Sequence, residues 1–171
     1  VTLGVEKGWE INQFAILVPV YTTVSVIATF IAGILIDKFG VRLLIPFYLI
    51  PGVLGFILCS FLNDPIISSL AFAFLGMMQG LSNAFSGTFW PEFFGTRHLG
   101  DVRALATSSM VIASALGPLF SGVFLDAQVS LSSQFQIMAL IMGFSTIGLW
   151  MILMKTKPTT HGYSKLSSFL K

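Results

Sequence analysis

The chain of 171 residues carries nine Lys and Arg against seven Asp and Glu, a formal net charge of +2. Hydrophobic residues make up 55% and charged residues 9%, with a mean hydropathy of +0.90, whereas a soluble domain carries about 25% charged residues. This excludes a water-covered globule and suggests no nucleic-acid partner, and the single cysteine, Cys59, leaves neither a disulfide within the chain nor a Cys/His metal cluster.

The chain starts at Val1 without a basic, apolar and cleavage-site sequence in succession, so no signal peptide is expected and the sequence reads as a piece of a longer protein. Residues 1–13 form a lead-in. A membrane-crossing helix needs about 20 mainly apolar residues, set by a hydrocarbon layer of about 30 Å. Five runs meet this, near 14–36, 43–61, 66–90, 104–125 and 135–154, and none contains Asp, Glu, Lys, Arg or His. A charge at the bilayer centre costs at least ~2.5 kcal/mol, so their absence is the expected mark of a span. The fold class is therefore an all-α membrane protein with five transmembrane helices. Residues 155–171 form a polar tail.

The connectors give an orientation. If the helices alternate, Lys38, Arg42, Arg97, Arg103, Lys155, Lys157, Lys165 and Lys171 fall on one side and Lys7 alone on the other. The positive-inside rule then puts the C-terminus in the cytoplasm and the N-terminus outside, in an integral membrane protein of the plasma membrane. Trp9, Trp90 and Trp150 suit interfacial belts.

Small residues mark helix contacts. Gly76 and Gly80 are four apart in the third span and share a face, as do Ala113 and Gly117 in the fourth. Pro118, flanked by Gly117 and Gly122, removes a backbone donor and should bend its span. Polar residues inside spans are candidates for substrate contact. Gln79, Asn83 and Ser86 form a stripe in the third span. Thr22, Ser25 and Thr29, with Tyr21 adjacent, form another in the first. Either stripe also fits bonding between neighbouring helices or, for Ser and Thr, to their own backbone.

The first connector is the most informative. Gly33 and Asp37 are four apart on one helix face, and Asp37 closes its helix where the dipole is already negative. That placement needs a compensating group, for which the start of the fourth span and Arg103 are candidates. Gly40 permits a tight reversal at positive φ, and Lys38 and Arg42 can anchor to lipid phosphate.

The pattern Gly33-x-x-x-Asp37-Lys38-x-Gly40-x-Arg42 resembles the signature of major facilitator superfamily transporters. Val41 departs from it, standing where many members have a basic residue. The resemblance extends over nearly the whole chain, with WPEFFGTRHLGDVR and SALGPLFSGVFLD similar to the tenth and eleventh helices of bacterial solute carriers. It implies helices eight to twelve of a twelve-helix protein, five of a six-helix half-bundle. Helices two to six are the second placement, since the halves are duplicates. It further implies a gate latch at Asp37, transport of an unidentified small molecule by alternating access, the lipid bilayer as surroundings, and a missing N-terminal half and first helix as partners. No cofactor or metal is expected.

Two other classes compete. An intramembrane serine enzyme at Ser86–Gly87 lacks a base in reach, since His98 and His161 lie outside the spans. A self-contained five-helix scaffold or receptor subunit explains the hydropathy but leaves the Asp37 connector unexplained.

Overall fold

A computed structural model describes residues 11–61, 64–95 and 97–155. Lys7, Trp9, Lys157, His161, Lys165 and Lys171 lie outside the described residues, as do most of the lead-in and the tail. The elements are α1 (Ile11–Phe39), α2 (Val41–Leu44), a 3₁₀ turn (Ile45–Phe47), α3 (Ile50–Cys59), α4 (Pro65–Phe94), α5 (Leu99–Asp126) and α6 (Leu131–Lys155). They make five segments long and apolar enough to cross a membrane: Ala15–Phe39, Val41–Cys59, Ile66–Glu92, Leu99–Asp126 and Leu131–Ile152.

The second span is one apolar run but three short helical pieces. Pro46 and Pro51 each remove a backbone donor, and the chain tightens into 3₁₀ geometry around Pro46 before α3 resumes. Pro19, Pro91 and Pro118 have a gentler effect, since each lies inside a helix that continues through it. The third connector is therefore shorter than the sequence suggests. α4 runs on past Pro91 to Phe94, and Gly95, at φ 70°, ends it.

Close approaches fix the directions of the helices. Gly76 lies against Tyr21 and Gly80 against Ser25, so α1 and α4 run parallel. Gly52 lies against Met78 and Gly55 against Leu75, so α3 runs antiparallel to α4. Gly52 also meets Met142, while Phe56 and Phe135 stack with centroids 6.2 Å apart, so α3 and α6 are antiparallel too. α4 is thus the central helix, with α1 on one flank and α3 and then α6 on the other.

Two local devices shape the opposite end from Asp37. Asp64 caps α4 by accepting from the Ile66 N–H at 2.8 Å, with Pro65 at the first helical position, where its missing donor costs nothing. α5 closes in a Schellman motif: Gln128 N–H donates to Leu125 O and Val129 N–H to Phe124 O. Gln128 occupies the left-handed position, φ 62°, that usually belongs to glycine.

α5 differs from the other helices in having no buried residue. It touches α4 and α6 sparsely, through polar ties. One joins Ser121 Oγ to Gln134 Oε1 at 2.8 Å, and the Gln134 amide then donates to Val129 O at 3.1 Å.

Candidate functional site

The turn after α1 is built on Gly40 and Val41. Gly40 N–H donates to Ile36 O at 2.8 Å, closing α1, and Gly40 itself has φ 80° and ψ 153°, a region open essentially to glycine. The next residue, Val41, is fully buried, in a cluster with Ile36, Ile45 and Phe85. Leu44, Tyr48, Leu81, Phe89 and Leu149 pack around it, so the turn is seated on both α4 and α6. Val41 stands where the family signature often has a basic residue, and here that position is an apolar anchor. The sequence signal for it was the i, i+4 spacing of Val41 and Ile45.

The charged members of the turn face outward. Asp37 and Lys38 are exposed, Arg42 is half-buried, and Lys38 Nζ lies 5.4 Å from the Phe39 ring centroid. Among the described residues no ion pair joins Asp37 to Arg103. The Arg103 guanidinium donates instead to the Gly87 carbonyl of α4 at 3.1 Å. Gly33 faces open space, with nothing within 4 Å of where a Cβ would stand. The helix expected against Gly33 and Asp37 is thus not seated there in this structure.

The structure brings the first polar stripe to the α1–α4 crossing. Thr29 Oγ1 is 2.8 Å from Ser25 O and 3.2 Å from Gly80 O, so its hydroxyl bridges the two helices. Ser25 is buried. Thr22 bonds back to Val18 O and Pro19 O, and the Tyr21 backbone touches Gly76. The α4 stripe lies alongside: Gln79 Nε2 donates to Asn83 Oδ1 at 3.0 Å, and Ser86 Oγ to Ser82 O at 2.8 Å. Gln79 is half-buried and Asn83 exposed, so their remaining polar atoms are open to a ligand or another helix. Among the described residues nothing lies within 4 Å of where a Cβ would stand at Gly117 or Gly122, so none of them packs closely on these two glycines beside Pro118.

An apolar groove of about 510 Å³ lies elsewhere, between α3 and α6, lined by Val53, Ile57, Ala139, Leu140 and Gly143 among others. It touches neither stripe nor the Asp37 turn. Among the described residues no group of three or more His, Cys, Asp or Glu side chains could hold a metal.

All Lys and Arg among the described residues, namely Lys38, Arg42, Arg97, Arg103 and Lys155, lie at one end of the bundle. Asp64 and Asp126 lie at the other.

Comparison with known proteins agrees with this architecture. The bacillibactin exporter of Bacillus subtilis (strain 168) is 30% identical over 130 residues, 68% of this chain and 32% of the exporter. The uncharacterized MFS-type transporter YfkF of the same organism is 25% identical over 119 residues, 70% of this chain and 30% of YfkF. The chain therefore spans about a third of the length of these curated relatives. No solved structure matches. The family model of the Major Facilitator Superfamily matches residues 1–169, nearly the whole sequence, and with five apolar helices and the Asp37 turn between the first two, the chain belongs to that superfamily.

Proposed function

We propose that this chain forms helices eight to twelve of a secondary transporter, which moves a small solute by rocking its two halves about a central cavity. The observation that carries the reading is the family match over residues 1–169 together with the signature turn at Asp37. The gathering of Lys and Arg at the turn's end supports a cytoplasmic location for that end, with the N-terminus outside and the plasma membrane as the host bilayer.

In this reading Asp37 is a gate latch. Its carboxylate is exposed at a helix C-terminus, an unfavourable site until a cation or another helix N-terminus approaches. Closing the cytoplasmic side would bring such a group near and stabilise one state of the cycle. Gln79 and Asn83 would contribute polar contacts to the solute, with Ser86 at the end of the same stripe. Tyr21, Thr22, Ser25 and Thr29 would line the cavity less directly, since Ser25 and Thr29 already serve the α1–α4 contact. The chemistry is non-enzymatic and needs no cofactor. The missing N-terminal half and the first helix of this half would supply the facing cavity wall, and any buried charge used for coupling.

The test is Asp37→Asn in the full-length transporter, with uptake and efflux of a panel of small solutes measured beside membrane insertion. Slower transport at unchanged insertion is expected. Wild-type rates with every transported solute would remove Asp37 from the gate.

A further inference from the structure

A proline inside a helix leaves the carbonyl four residues earlier without its usual donor. Pro91 lies inside α4, and the carbonyl it deprives is that of Gly87. Gly87 has no side chain to shield that oxygen, and nothing stands within 4 Å of where its Cβ would be. The group that reaches it is the Arg103 guanidinium, whose Nη2 lies 3.1 Å away. Arg103 comes from α5, the helix with no buried residue. The connector between the helices is short, so Arg103 sits one helical turn into α5 and faces back on α4.

We propose that Pro91, Gly87 and Arg103 form a clamp: Pro91 exposes a backbone acceptor, Gly87 keeps it accessible, and Arg103 pins the start of α5 to α4 through it. A charged donor on a backbone carbonyl is stronger than a neutral pair, and this one is exposed at the end of the bundle. The clamp also means that the acceptor orphaned by Pro91 is not left empty. Arg103 is a positioning residue here. It sets where α5 begins, whatever solute the protein carries.

The test is a double-mutant cycle in the full-length protein in detergent, read as the thermal unfolding midpoint. Pro91→Ala restores a backbone N–H that can take the Gly87 carbonyl and displace the guanidinium. Arg103→Met should lower the midpoint by about 2–6 °C when Pro91 is present, and by less than half as much when it is combined with Pro91→Ala. Arg103→Lys, which keeps a donor, should stay nearer wild type than Arg103→Met. A second readout does not require the Pro91 variant to fold. With Cys59 and any other native cysteine of the full-length protein replaced by Ala, spin labels at Glu92→Cys and Leu105→Cys report the α4–α5 distance. That distribution should broaden with Arg103→Met and stay narrow with Arg103→Lys. Equal Arg103→Met shifts with and without Pro91→Ala, or an unchanged distance distribution in Arg103→Met, would overturn the clamp.

Discussion

Adding one methyl group at Gly80 tests the α1–α4 crossing directly. A Cβ there would overlap the Ser25 carbonyl oxygen and stand 2.7 Å from Ala28 Cβ and 2.9 Å from Thr29 N. Carbon atoms rest at about 3.5–4.0 Å. Ser25 O and Thr29 N belong to the α1 backbone, so no side chain can swing aside, and the whole helix has to withdraw. Overpacking of this kind costs about 1–3 kcal/mol. The withdrawal also stretches the Thr29 Oγ1–Gly80 O bond, now 3.2 Å, and interhelical hydrogen bonds in membranes average about 0.6 kcal/mol. Alanine returns up to ~1 kcal/mol of helix propensity. The net expectation for Gly80→Ala is a loss of about 1–3 kcal/mol, or roughly 2–12 °C in the unfolding midpoint at this chain length. The assay is thermal unfolding in detergent, with Gly148→Ala as the reference because nothing lies within 4 Å of a Cβ there. Gly148→Ala should match or exceed wild type. Superimposable melting curves for the two variants would refute the crossing.

Further expectations follow from the same contacts. At Gly52 the obstructing atoms are the flexible ends of Met78 and Met142, so Gly52→Ala should cost less than Gly80→Ala in the same melting assay. Val41→Arg should destabilise far more than Val41→Ala, since it forces a charge into a fully buried site, and equal melting points would mean the turn is not seated as described. Gln128→Gly should stabilise by roughly 0.5–1 kcal/mol, because glycine occupies the φ 62° position without strain. In solute-transport kinetics, Gln79→Ala and Asn83→Ala should each raise the apparent KM, and unchanged kinetics in both would detach the stripe from the solute.

Much of the architecture is legible in the sequence because the bilayer is a strict solvent. A span must be apolar along its whole length, and five runs without a charged residue become five spans. The turn at Gly40 is legible too, since only glycine adopts its backbone angles. Gly76 and Gly80 announce a close contact by their spacing, but the sequence does not say which helix fills it. That depends on Tyr21, Ser25 and Ala28 presenting small or backbone surface at the matching height on α1.

Other features depend on partners distant along the chain. Pro46 breaks the second span while Pro91 leaves α4 continuous, and hydropathy cannot separate the two. In α4 an arginine from the next helix takes the freed carbonyl. The burial of Val41 depends on Phe85, forty-four residues away, and on Leu149 in α6. The residues proposed for gating and solute contact are the least legible, because those proposed roles depend on surfaces that face outward. Asp37 and Asn83 are exposed, and α5 has no buried side chain. The Ser and Thr stripe of α1 shows the ambiguity: Ser25 and Thr29 look equally suited to a solute or a helix, and their bonds here run within and between helices.

The most direct measurement is sidedness. Single cysteines at Lys38, Arg97 and Asp64, in a protein with Cys59 and any other native cysteine replaced, can be labelled with a membrane-impermeant maleimide in intact and in opened cells. Positions 38 and 97 should label only once the cytoplasm is accessible, and position 64 from outside. Labelling of positions 38 and 97 from opposite faces would contradict the five-span arrangement and everything built on it.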